Sequence, residues 1–426
     1  MFRSPRGTSD ILPADQPYWR FVEEKIARIC QLYGYRRIDT PLFEDAGLFI
    51  RGVGEETDIV QKEMYVFEDR GGNKLTLKPE GTAPVCRAYL EHGMHNLPAP
   101  VKLYYFGKSY RYERPQSGRY REFHQFGYEA IGDVDPAMDA EVVDMAWQLY
   151  LSLGMQQLHL KLNSIGCKTC RPVYLARLKE YFSAYTGELC QDCRNRWEKN
   201  TLRLLDCKNP FCQKYSAAAP KSYENLCPDC EKHFNQLKEY LDLLGLPAEI
   251  DHCLVRGLDY YTRTVFEIQP EIEGAQSTLG GGGRYDGLME QLGGDPTPAL
   301  GFAAGIERII TNIKRQNLAV PPEVSPLLFI ACLGEEARKA AVKMSGNLRQ
   351  AGISTILSPA GKSLKAQLRQ ANTLSVRYTL ILGDNEIKTG SVQLRDMLTS
   401  EQKDIPQSQL LEILLANNSK PDSGAR

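Results

Sequence analysis

The chain has 426 residues, room for two or three domains that each bury a core. Charged residues make up 25% and hydrophobic ones 42%, with a formal net charge of −1, which excludes a protein that coats nucleic acid non-specifically. No apolar run is long enough to span a bilayer and the start, Met1-Phe2-Arg3-Ser4-Pro5-Arg6, has no signal-peptide apolar core, so a cytoplasmic location without membrane contact is expected.

Tyr18, Val22, Ile26, Ile29 and Tyr33 recur in steps of three or four and predict a helix over 17–33, stopped by Gly34. Arg37–Glu44 reads as extended, with Pro41 favouring an edge or an end over a central strand. Short β-like runs follow at 64–67, 74–77, 101–106 and 123–131, the first two separated by the turn-forming Asp69-Arg70-Gly71-Gly72-Asn73. A helix is expected over 137–153. Eight of the twelve cysteines then fall between Cys167 and Cys230 and mark residues 167–252 as an insertion with helical stretches such as 234–244. Strand character returns at 259–269, followed by the glycine run Gly280–Gly283 with Arg284 behind it, and a helix over 301–313. Pro321, Pro322 and Pro326 mark a linker. Beyond it strand-like segments (327–331, 353–357, 378–382) alternate with helical ones (336–351, 364–371), as in a small α/β domain with a partly parallel sheet. The tail over 417–426 is expected to be disordered.

These elements predict an α+β body, residues 1–166 plus 253–320, whose antiparallel sheet is flanked by helices. A helical cysteine-rich insertion interrupts it at 167–252, and an α/β domain follows over 325–416.

Chemistry concentrates in a few places. Arg256 and Arg308 adjoin glycines, where backbone can approach a phosphate and a guanidinium can neutralise it. Residues 102–121 hold six positive side chains (Lys102, Lys108, Arg111, Arg114, Arg119, Arg121) against Glu113. The stretch 106–128 reads as two strands joined by a loop at 115–118. Arg111, Gln125 and Glu129 are placed near the strand middles, the last two on one face by period two. Gly107-Lys108-Ser109 and Gly361-Lys362-Ser363 lack the upstream glycine of a phosphate-binding P-loop, and no Gly-x-Gly-x-x-Gly opens a helix. The nucleotide site suggested by the arginines is therefore of another kind. The clustered cysteines form four pairs: Cys167/Cys170, Cys190/Cys193, Cys207/Cys212 and Cys227/Cys230. Three have the two-residue spacing that grips Zn²⁺ with two thiolates, which suits one or two four-cysteine sites; free thiols in a helical insertion are the other reading.

Several stretches resemble one family. Arg111-Tyr-Glu113 followed by a loop is similar to motif 2 of the class II aminoacyl-tRNA synthetases, and Gly301-Phe-Ala-Ala-Gly-Ile-Glu-Arg308 to motif 3. Arg37–Glu44 resembles the looser motif 1, which in the family builds a dimer interface. Arg256-Gly-Leu-Asp-Tyr-Tyr-Thr262 and Leu77-Lys-Pro-Glu-Gly-Thr82 resemble the histidine-binding signatures of the histidyl-tRNA synthetases, whose style Pro5–Asp10 and Gly280–Gly287 also match.

The resemblance implies a class II catalytic core, a C-terminal anticodon-binding domain and a homodimer. The implied activity joins histidine to ATP as histidyl-adenylate, then moves it to the 3′ end of tRNA(His). Such chemistry needs no general base, because the attacking carboxylate is already ionised; it needs charge neutralisation and alignment. By the resemblance Arg111 holds the α-phosphate and the carboxylate, and Glu113 belongs to the ATP site. Arg308 meets the γ-phosphate beside Mg²⁺, and Arg256 supplies charge at the reacting phosphorus, although on its own it reads equally as a structural ion pair. Glu80, Gly81, Thr82 and Gln125 form the site for the histidine ammonium, Glu129 and Tyr261 bond its imidazole and Tyr260 lines the pocket. Gln116 and Arg119 reach the tRNA acceptor end. Lys78 stands where the family leads one to expect arginine. Lys362, Lys365 and Arg369 share a helix face by spacing, as an RNA contact or as a solvated surface. Zinc is not a general requirement of the family, so any ion held by the cysteines is structural. The runner-up is a non-catalytic, synthetase-like regulatory subunit of ATP phosphoribosyltransferase; such a binder should have lost catalytic arginines, and Arg111, Arg256 and Arg308 are all present.

Overall fold

The structure, a computed structural model, describes residues 2–55, 57–115, 118–271, 278–323 and 325–418. It divides into two compact units, residues 1–321 and 322–426. Among the described residues no helix is long and apolar enough to cross a membrane.

The first unit is built on an eight-stranded sheet. In spatial order its strands are Arg36–Arg37, Val101–Tyr110, Glu122–Ile131, Ala299–Gly305, Gly280–Arg284, Thr262–Pro270, Leu158–Ser164 and Ala248–Ile250. The six central strands pair antiparallel, and the short edge strands at each end pair parallel. Alternate side chains of one strand enter different cores: Phe266 and Ile268 join one, Val265 the other. On the first face pack the helices Gln16–Leu32, Pro136–Ser152, Pro228–Leu243 and Ile306–Arg315. Gln16–Leu32 buries Val22, Ile26 and Ile29, the stripe its spacing predicts. The other face carries Ala46–Val53, Thr82–Glu91 and the cysteine-rich helices, with the functional cavity among them.

Two expectations need correction. The segment 301–313 is helical only from Ile306, because Gly301–Gly305 continues a strand held between Glu122–Ile131 and Gly280–Arg284. Its small residues carry no strong preference, so tertiary pairing decides. The glycine run, which the sequence assigns to no element, is a central strand. Arg284 behind it is fully buried, donating to Asp139 Oδ2 at 2.7 Å and to the carbonyls of Asp133 and Asp135 at 2.9 and 3.1 Å. Arg284 thus ties the sheet to the start of helix Pro136–Ser152. Finally, strand pairing between the two arms of the 101–131 hairpin stops at Tyr110 and Glu122, so Arg111 lies just past a strand end.

Ala248–Ile250 lies near the C-terminal end of the cysteine-rich segment and adds to the main sheet beside Leu158–Ser164. The second unit is a five-stranded sheet ordered Thr355–Leu357, Leu328–Leu333, Tyr378–Gly383, Ser391–Asp396 and Gln402–Pro406. The first three strands run parallel, because helices Glu335–Gln350 and Leu364–Thr373 connect them; the last two return antiparallel. Helix Leu410–Asn418 overruns the start of the expected disordered tail, whose residues 419–426 lie outside the described residues.

Candidate active site

A cavity of about 290 Å³ opens on the second face of the large sheet. Gly280 and Gly281 give it a floor of bare backbone, and charged and aromatic side chains from widely separated segments wall it.

Glu129 lines the cavity and is 1% exposed. Because Phe126, Tyr128 and Ala130 fill the core on the opposite face, strand alternation turns Gln125 and Glu129 into the cavity. Gly301 stands beside Glu129 in the neighbouring strand, where any Cβ would lie 1.7 Å from Glu129 Oε2. The Thr82 hydroxyl donates to Glu129 Oε1 at 2.7 Å and the Tyr285 hydroxyl to Oε2 at 2.5 Å. Burial pushes the Glu129 carboxyl up to about 8, against the lowering effect of those two hydroxyls. Tyr260 and Tyr261, with rings 4.8 Å apart, complete an aromatic wall, and Tyr285 meets Tyr260 edge-on at 5.5 Å. A small flat ring with hydrogen-bond donors suits this box.

Glu80 accepts from the backbone N–H groups of Thr82 and Ala83, both at 2.8 Å, and so caps the start of helix Thr82–Glu91. Its carboxyl is raised by burial, which outweighs these bonds. Gly81 is a spacer: it does not line the cavity, and a Cβ there would come within 2.2 Å of the Tyr105 ring. Gln125 accepts from the Ser109 hydroxyl at 3.4 Å.

Cations line the same cavity. Arg111 donates through Nε to the Pro79 carbonyl at 2.9 Å and lies over the Phe123 ring at 5.4 Å. Arg256 ion-pairs with Glu267 while lining the cavity, so the structural and functional readings of this residue coexist. Burial pulls its guanidinium down, but Glu267 and Tyr261 more than offset this and hold it above its usual range. Arg308, at the start of helix Ile306–Arg315, donates to the carbonyls of Gly118 and Thr278, each at 3.2 Å. Burial lowers its pKa, Glu113 opposes this, and Arg119 and Arg111 add to the lowering. A bound anion would relieve the mutual repulsion of these guanidinium groups. Arg119 pairs with Glu113 at 3.2 Å on the cavity wall; Gln116 lies outside the described residues.

Sequence reasoning assigned no role to Tyr285, Glu267 or Glu307, although all three line the cavity. Glu267 alternates with buried Phe266 and Ile268 along a strand, a legible sign of an acid turned to one face. Lys78 is buried outside the cavity and donates to the Thr40 hydroxyl at 3.1 Å. In the second unit Lys365 and Arg369 are exposed on one helix, but Lys362 precedes the Ser363 cap, so the three do not share a helical face.

The eight clustered cysteines form two nested quartets, Cys167/Cys170/Cys227/Cys230 outside and Cys190/Cys193/Cys207/Cys212 inside, with the sulfurs of each within 4.8 Å of one another.

The chain matches a protein-family model described as histidyl-tRNA synthetase over residues 7–168 and 212–309, and one described as an anticodon binding domain over 328–417. A histidine–tRNA ligase of Dehalococcoides mccartyi is 61% identical over 411 residues, covering 96% of this chain and 98% of the relative. One from Desulforamulus reducens is 49% identical over 412 residues, covering 97% and 98%. The crystal structure of apo histidyl-tRNA synthetase from S. aureus superimposes with a TM-score of 0.81 at 38% identity, covering 97% of this chain and all (100%) of that one.

Proposed function

The chain belongs to the histidyl-tRNA synthetase family, and from that premise we infer what its cavity does. The protein is an aminoacyl-tRNA ligase that joins histidine to tRNA at the expense of ATP. The non-catalytic regulatory reading is not favoured, since identity to ligases extends over nearly the whole chain and three arginines converge on the cavity.

The observation that carries the residue assignments is the make-up of the cavity: a buried, hydroxyl-bonded carboxyl and three arginines line the same space. Histidine would enter with its imidazole toward Glu129 and Tyr261, with Tyr260 as the wall. A side chain without ring N–H groups would bury Glu129 with only its two hydroxyl donors and no bond to the ligand, which is how such a box discriminates. The ammonium would lie toward Glu80, Thr82 and Gln125, the two helix-capping bonds leaving Glu80 further lone pairs to accept with. The carboxylate then faces Arg111, which would hold it against the α-phosphate. Arg256 would meet charge developing at phosphorus, kept rigid by Glu267. Arg308 would hold the γ-phosphate, with Glu113 beside it in the ATP site. ATP would bind as its Mg²⁺ complex, the ion neutralising phosphate oxygens. Arg119, with Gln116, would approach the tRNA acceptor end, and the 325–416 domain the anticodon.

Two further assignments complete the reading. The cysteine quartets would hold structural zinc. The chain would act as a homodimer, for which the apolar Leu42, Phe43, Val66 and Phe67, each more than 40% exposed on or beside a small three-stranded sheet of Phe43–Asp45, Lys74–Leu77 and Tyr65–Glu68, offer a surface.

The test is ATP–pyrophosphate exchange with each of the twenty amino acids. Histidine alone should support it in the wild type, and Arg256→Ala should lower kcat with little change in histidine affinity. Exchange with another amino acid, or an undiminished variant, would refute the assignments.

A further inference from the structure

The quartets border the segment 256–261 that supplies Arg256, Tyr260 and Tyr261 to the cavity. Outside, Cys170 ends a knuckle and Arg171 opens helix Arg171–Ser183; the Arg171 guanidinium donates to the Tyr261 carbonyl and, at 3.3 Å, to that of Ile165. Backbone bonds from Arg263 N–H to Gly166 and from Ile165 N–H to Arg263, each 2.8 Å, fasten the same corner. Inside, Asn200 donates to Asp259 at 3.0 Å, and Arg203 lies against Gly257 while pairing at 3.0 Å with Asp206, next to Cys207. A second cavity of about 250 Å³ separates the knuckles from this segment, lined by Arg171, Asn200, Arg203, Arg256, Leu258 and Tyr261 among others. Leu258, Tyr260 and Tyr261 also share an apolar core with Tyr174, Leu202 and Leu204 of the insertion, and the polar bonds from the knuckles add direction to that non-directional packing.

The quartets have the geometry of a tetrathiolate site. Neighbouring sulfurs stand 3.9 Å apart in Cys167/Cys170, Cys167/Cys227 and Cys190/Cys207. A tetrahedron with Zn–S bonds of about 2.3 Å has edges of about 3.8 Å, whereas a disulfide needs about 2.05 Å. Backbone N–H groups already point at the sulfurs: Cys167 to Cys170 Sγ at 3.3 Å, Thr169 to Cys167 Sγ at 3.4 Å, Cys190 to Cys212 Sγ at 3.3 Å and Asn209 to Cys207 Sγ at 3.5 Å. Donors of this kind stabilise thiolates around a metal.

We propose that the quartets hold two zinc ions that position the histidine-binding segment from behind, the outer through Arg171 on Tyr261 and the inner through Asn200 and Arg203 on 257–259. This rests on the zinc and histidine-pocket assignments above and adds the coupling between them. Arg171, Asn200 and Arg203 are positioning residues, since they act through the segment and do not line the active-site cavity.

Elemental analysis of the purified full-length protein should give two zinc per chain, and one each for Cys227→Ser and Cys207→Ser. The ion retained in each variant reports that the module still folds. Arg171→Met should keep both ions yet raise the KM for histidine about tenfold in pyrophosphate exchange, the scale of one lost charge-assisted hydrogen bond, with the KM for ATP changed less than about twofold. Arg171→Lys should recover part of the loss. Eight freely titratable thiols and no metal in the native protein would overturn the zinc sites. Two zinc per chain with an unaltered histidine KM in Arg171→Met would overturn the coupling alone. Loss of histidine dependence in the wild type would instead sink the pocket assignment.

Discussion

Glu129 is a carboxylic acid whose surroundings favour its neutral form, and its ionisation is therefore coupled to stability. Burial raises its pKa from the ordinary glutamate value of 4.5 to about 8 in the folded protein. A carboxyl raised on folding costs nothing below its unfolded pKa, and the cost grows with pH until the native group ionises. Between pH 4.5 and 8 the ligand-free protein should lose stability on this account, by on the order of a few kcal/mol in total. Glu129→Gln should flatten that dependence, which urea unfolding at several pH values will reveal. The same variant should cut histidine-dependent exchange about 10- to 100-fold, as expected for removing a hydrogen bond to a charged group. Equal pH dependence in wild type and variant would disprove the first expectation. A residue such as Glu129 was legible because strand period and motif agreed on it. Tyr285 was not, since only the folded sheet brings its hydroxyl to a strand on the far side of Ala299–Gly305.

Among elements, helices with a clear apolar stripe were readable from spacing, Gln16–Leu32 above all. The centre of the sheet was harder, because Gly280–Arg284 and Ala299–Gly305 contain no β-branched residue and, apart from Arg284, Leu300 and Phe302, only glycine and alanine, so they owe their conformation to neighbours. Their smallness serves the cavity. Gly301→Ala should push the Glu129 carboxylate out of place and destabilise the fold by about 1–3 kcal/mol through overpacking, with histidine exchange falling more steeply than thermal stability. Arg284 binds the same region to helix Pro136–Ser152. Arg284→Met leaves Asp139 as a buried charge without its partner and should cost about 3–5 kcal/mol, measurable by chemical denaturation. A change below about 1 kcal/mol would show that the pair is dispensable.

For the whole molecule, every described residue that lines the active-site cavity comes from the first unit. A chain ending at residue 321 should therefore retain histidine-dependent pyrophosphate exchange and lose most of its ability to charge tRNA, a separation that parallel assays can read. Loss of exchange in a well-folded truncated chain would contradict it. The α/β character of the second unit was legible from its alternating segments, whereas its last two strands, Ser391–Asp396 and Gln402–Pro406, were not, being mostly polar.

The nesting of the cysteine quartets also sets an order of events during synthesis. As the chain leaves the ribosome, Cys190 through Cys212 emerge together and can complete the inner quartet while Cys227 is still being made. The outer quartet closes a longer loop and must wait for Cys230. Of these segments Arg256–Tyr261 emerges last, so it would meet quartets whose cysteines are already available to close.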